Sequence, residues 1–262
     1  MSERKNILTA SNILVFLAFG FSIFSFYMSY QASQKEVVRV KKEELRHILS
    51  DLIDTSKQFR ENLNSNESGQ FYDLYTEKRF IYFAAAESII EEIPTEVSWP
   101  EYNTLAKQAF IDDNYEKVIS YLEKAKVNAK TTQAKVYTRN ALAQAYFADT
   151  SIRDYDRARG YFKEAAIILE GIKDPYFLVL VADMYRSWAT CEADAGFHEE
   201  SKMLLGRSDK YLNDLPNSFP YKKEQLMEIG DLMRSDSERA KLLPNHSLRG
   251  DGPDGPRSEF KR

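Results

Sequence analysis

The chain is short of nearly everything that builds a reactive centre. Its 262 residues hold one cysteine, Cys191, so no disulfide can form within the chain. Three histidines, His47, His198 and His246, are too few and too scattered for a Cys/His metal site. There is no Gly-rich phosphate loop, no His-Glu-x-x-His, no Gly-x-Ser-x-Gly and no paired Cys motif. Cys191 and His198 are the nearest approach to a nucleophile and base. A thiol buried at a helix interface behaves as a small apolar residue, so structural filler is the reading adopted. No catalytic residue, metal or cofactor is expected, and the chain is not read as an enzyme. A basic field is missing too: net charge is −4 with pI near 5.6, and cations alternate with acids, which argues against nucleic acid as a partner. Helix breakers are scarce, at ten Gly and eight Pro, and several of them crowd the last twenty residues. An all-α body is the consequence.

What is present begins with an uncharged run. No charge interrupts residues 6–34, and residues 7–30 are dominated by Ile, Leu, Val, Phe and Ala. As a helix rising about 1.5 Å per residue, this run spans the roughly 30 Å hydrocarbon layer. Its exit, Tyr30-Gln31-Ala32-Ser33, lacks the small-residue pattern of a cleaved leader. The expectation is a retained single-pass transmembrane helix within residues 1–33. Ser11, Ala18, Ser22, Ser25 and Ser29 form one small-residue stripe on it. That stripe suits helix packing in lipid, including a homo-oligomer; alternatively the serines bond back to their own backbone. Lys35, Arg39, Lys41, Lys42 and Arg46 after the run outnumber Arg4 and Lys5 before it, which places the soluble part on the cytoplasmic side.

Residues 34–100 read as a stalk helix and a hairpin. Val38, Leu45, Leu52 and Phe59 recur every seven residues on the stalk, ending near Leu63. Residues 64–69 form a polar turn, and residues 70–93 the return helix. Pro100 has the position of a helix start.

Residues 101–243 repeat a pattern. Tyr102, Leu105, Ala106 and Ala109 make one helical face, the turn Asp113-Asn114-Tyr115 follows, and Val118, Leu122 and Ala125 make a second face. The pattern returns as Leu142, Ala143 and Tyr146 with Tyr155, Ala158, Phe162 and Ala165. A third copy has Trp188 and Ala189 with Ser201, Leu205 and Ser208. Asp174-Pro175 supplies a cap and first-turn proline for the helix leading into Trp188. At these residues the chain resembles the tetratricopeptide-repeat family, whose units are antiparallel helix pairs. Ala106, Ala143 and Ala189 stand 37 and 46 residues apart, longer than the family's unit of about 34, so the repeats are irregular and residues 149–154 enlarge one turn. A generic helical bundle with the same 3.6-residue period is the alternative. Residues 221–242 are expected to cap the stack. Residues 244–262 are expected to be a disordered tail.

The resemblance implies a protein or peptide partner held along the first helix of each pair. The residues it points to are Asn103, Lys107 and Phe110, then Asn140, Gln144 and Phe147, then Arg186 and Thr190. Asn amides hold a ligand backbone, and Lys or Arg favours an acidic or carboxylate-ended ligand. The leading expectation is a membrane-anchored adaptor or scaffold. Two alternatives stand beside it: a membrane-active effector that oligomerises through its transmembrane helix, and a periplasmic chaperone-like repeat protein.

Overall fold

A computed structural model describes residues 3–62, 68–148, 151–220 and 222–242, and within these the side chains of residues 3–14, 16, 60, 62, 68–72, 237 and 239–242 lie outside the description. Among the described residues the secondary structure is helical throughout. The chain divides into two compact units, residues 1–97 and 98–262.

In the first unit, α1 (Glu3–Asn62) is one unbroken helix of 60 residues, and α2 (Ser68–Glu92) returns along its far end. The stripe expected on the stalk is what α2 covers: Leu45, Leu49 and Leu52 are buried with Phe83, Ala86, Ile89 and Ile90. Each of the Leu, Ile and Phe side chains, fully buried, stabilises the pair by roughly 1.5–3 kcal/mol. Antiparallel register shows in the ring contact Phe59–Tyr75, 5.7 Å and edge-on, and in the ion pair Lys41–Glu92. Lys42 Nζ also donates to the Glu96 carbonyl oxygen at 2.8 Å. Gln70 was expected to start the return helix, which begins at Ser68; the turn residues 63–67 lie outside the description.

Before Lys41 the described side chains of α1 are exposed, except Val38, which is half-buried. Among the described residues no helix is long and apolar enough to cross a membrane. The uncharged run starts among residues whose side chains are outside that description, Ser11 included.

The second unit stacks helices in pairs. They are α3 (Trp99–Ile111) with α4 (Tyr115–Asn128), α5 (Thr132–Phe147) with α6 (Tyr155–Leu169), and α7 (Pro175–Asp194) with α8 (His198–Asn213). Successive pairs touch through α4 with α5, α6 with α7 and α5 with α7, and α9 (Lys222–Leu242) lies on α8. Local chemistry sets the boundaries. The Ser98 amide and hydroxyl both donate to the Glu101 carboxylate, and Pro100 sits in the first turn of α3. Asn114, Thr131, Asp154 and Asp174 each accept a backbone N–H in the first turn of α4, α5, α6 and α7. Gly196, at φ 87°, ends α7 in the left-handed region, where a Cβ would be strained.

Small residues stand on the buried faces of the paired helices. Ala106, Ala109, Ala125, Ala143, Ala158, Ala165 and Ala189 are all buried, with Ser201 and Ser208 in the equivalent places of the third pair. Ser208 is satisfied there, its hydroxyl donating to the Ala182 carbonyl oxygen of α7 at 2.8 Å. The result is an array of packed consecutive helix pairs, compatible with a helical repeat. Residues 243–262, and with them the expected disordered tail, lie outside the described residues.

Candidate functional site

The residues singled out from the sequence lie on the first helices of the three pairs, α3, α5 and α7. On α3, Asn103 is half-buried, Lys107 is exposed, and Phe110 is 46% exposed with its ring edge-on to Tyr115 at 5.4 Å. On α5, Gln144 is exposed and Asn140 half-buried. Among the described residues, Asn140 Oδ1 is the one buried side-chain nitrogen or oxygen with no hydrogen-bond partner. Such an orphan acceptor costs roughly 1–3 kcal/mol unless something outside the chain donates to it.

Phe147 departs from the expectation. It is 8% exposed, with its ring 5.3 Å from Tyr155 and 6.2 Å from Phe162. The end of α5 is wrapped by the start of its own partner helix, so Phe147 is core and not lining.

Arg186 also departs from it. Its guanidinium donates to Asp183 at 2.7 Å and to Glu228 of α9 at 2.6 Å, so two carboxylates already hold the cation expected to attract an acidic ligand. Burial raises the Asp183 carboxyl above its ordinary range; Arg186 opposes this and Glu228 adds to it. Thr190 is exposed and its hydroxyl donates to the Arg186 carbonyl oxygen at 3.1 Å. Of the cations proposed for the face, Lys107 alone is exposed and outside any ion pair among the described residues.

On α1, Ala18, Ser22, Ser25 and Ser29 are all exposed, and Ser22 donates to the Ala18 carbonyl oxygen at 2.9 Å. That serine bonds its own backbone.

Two polar clusters escaped the sequence reading. Glu192, only 1% exposed in the last turn of α7, receives two bonds from Arg159 of α6, at 2.8 and 2.6 Å, and one from Trp188 Nε1 at 2.8 Å. The Arg159 guanidinium lies 4.6 Å above the Phe197 ring, and Phe162 stacks on Trp188 at 5.2 Å. A carboxylate four residues after a tryptophan was the available signal, but a lone charge on a helix reads as solvated. The second cluster joins α8 to α9: His198 Nδ1 lies 2.6 Å from Asp236 Oδ1, both largely buried.

Chemically, these arrangements hold helices together. Burial pushes the Cys191 thiol up to about 12, with Asp194 and Glu192 adding to the effect, so it carries no thiolate near neutral pH. Among the described residues no three His, Cys, Asp or Glu side chains converge as a metal site. The chain matches no protein-family model, no curated protein and no solved structure.

Proposed function

We propose that this chain is a membrane-anchored, non-catalytic adaptor whose α3–α8 array, of tetratricopeptide-repeat type, holds an extended polypeptide along its first helices. One observation carries the binding reading. Asn140 leaves a carbonyl oxygen unpaired on α5, the helix in contact with the pairs on either side; the oxygen is itself covered, and a ligand amide N–H completes it once the half-buried side chain turns outward. Gln144 and Tyr137 are exposed on the same helix, and Lys107 offers a cation on α3.

The anchor rests on the uncharged run of residues 7–30 and on exposure. Every described large apolar side chain between Val15 and Tyr30 is more than half exposed, on all sides of α1. A helix apolar all round needs an apolar surrounding, and lipid supplies one. The excess of Lys and Arg after the run favours a cytoplasmic array.

The test uses the full chain in membranes, with a photocrosslinking residue at Gln144, at Tyr137, or at exposed Ile167 on α6. Discrete adducts at the first two sites that disappear with Asn103→Ala plus Asn140→Ala support the reading. Equal adducts at Ile167, or adducts indifferent to the double substitution, overturn it. Retention in the pellet after alkaline extraction tests the anchor separately.

A further inference from the structure

We infer that α1 pairs in parallel with α1 of a second copy of this chain, along a seam formed by Phe19, Ile23, Phe26, Tyr30, Val37 and Val40. For its upper half the inference rests on the anchor reading; its lower half does not.

These residues recur in alternating steps of four and three, with Ser33 at the intervening position, which is the seven-residue period that keeps one helix against another of the same pitch. Lipid imposes no such period. All six are open, from 48% exposed at Val37 to 74% at Phe26. Taking about 150–250 Å² for each large ring and somewhat less for each aliphatic side chain, covering what is exposed buries about 600 Å² per chain, near the ~800 Å² per partner of an ordinary interface.

Val37 and Val40 decide between lipid and protein. They sit beyond the uncharged run, among Lys35, Glu36, Arg39 and Lys41, at a level where a bilayer core would not cover them. Among the described residues both stay exposed, at 48% and 50%. The face on which α1 packs against α2, through Leu45, Leu49 and Leu52, is a different one. The seam's next two positions are Glu44 and His47, both exposed and polar, so it stops about where α2 begins to pack.

Charge points to an identical partner. With Val37 and Val40 at the two core positions, Glu36 and Lys41 flank the seam where residues of opposite chains meet in a parallel pair. They are of opposite sign, so the seam is self-complementary. Within the chain Glu36 bonds Arg39 and Lys41 bonds Glu92, both at exposed or partly exposed sites where partners exchange readily.

The seam lies one residue round the helix from the small-residue stripe of Ala18, Ser22, Ser25 and Ser29, and the two faces predict different contacts. The experiment is a single-cysteine scan over residues 22–43 of the full chain in isolated membranes, in a Cys191→Ser background, oxidised and read as disulfide-linked dimer. The inference expects maxima at 23, 26, 30, 33, 37 and 40, and loss of the remaining crosslinks when Val37→Glu and Val40→Glu are combined. Maxima at 22, 25 and 29, a flat profile, or no dimer from a chain retained in membranes would each overturn it. If alkaline extraction releases the chain, the anchor reading fails by itself, and crosslinking at 37 and 40 in solution still decides the lower seam.

Discussion

Removing Arg159 should cost more than removing its partner. The Arg159→Ala chain keeps a Glu192 carboxylate that is 1% exposed and retains one donor, the indole N–H of Trp188. Stranding one member of a buried ion pair destabilises by about 3–5 kcal/mol. The Arg159 side chain is 26% exposed, so water follows it part of the way in, and the expected loss is at the lower end, about 3 kcal/mol. For an array of this size that corresponds to a melting temperature lower by roughly 6–12 °C. Glu192→Gln keeps the volume and an acceptor for Trp188, and leaves an arginine able to reach solvent, so about 1–2 kcal/mol is expected. The assay is thermal and denaturant unfolding of the full chain in detergent, followed by circular dichroism and tryptophan fluorescence. A loss under about 1 kcal/mol for Arg159→Ala, or a Glu192→Gln loss that exceeds it, would refute the argument that desolvation of the carboxylate dominates.

Cys191 should resist iodoacetamide in the folded chain. Its thiol is raised from an ordinary 9.0 to about 12, so at about pH 8.5 the native thiolate fraction, and with it the labelling rate, falls about 10³-fold below that of the unfolded chain. By the same linkage, the stability this group contributes is fully present below pH 9.0 and is lost as pH rises from there toward 12. Rapid native labelling would show that α7 opens locally. Asp236→Ala should loosen α9 by about 1–3 kcal/mol, since it leaves His198 without its partner. Hydrogen exchange should then quicken about tenfold or more in residues 222–242 and leave α3–α6 unchanged; acceleration spread evenly over the array would refute a local clasp.

The helices were legible because burial imposes a 3.6-residue rhythm on apolar residues and because capping is chemically explicit. Asp174-Pro175 announces the start of α7, and Pro100 that of α3. The pairing was legible from Ala106, Ala143 and Ala189, since only small residues let helices approach closely. The candidate face was less so. Asn140 keeps an unpaired acceptor, but Phe147 and Arg186 are taken by residues a local pattern does not show: Tyr155 and Phe162 of the partner helix, and Glu228 42 residues downstream. Side-chain identity says what a residue can bond, while the fold decides whether that bond is already made.

The same distinction explains where the buried charge lies. Within a pair the spacing of matching buried positions varies little: Ala106 to Val118 and Ala189 to Ser201 are both twelve residues, and Ala143 to Ala158 is lengthened to fifteen. Between pairs it is loose, at 37 and 46 residues, partly because α7 runs for 20 residues where α3 has 13 and α5 has 16. Shape alone therefore fixes each pair but leaves the offset to the next pair weakly determined, because a long helix can slide by a turn with little change in apolar area. Directional bonds remove that freedom. Arg159 to Glu192 ties α6 to α7, Tyr161 to Glu123 ties α6 to α4, and Arg186 to Glu228 ties α7 to α9. The first two bridge different pairs and the third joins the last pair to the helix that follows it, and each would be broken by a one-turn slip of about 5.4 Å. Charge thus specifies the register that the irregular spacing leaves open.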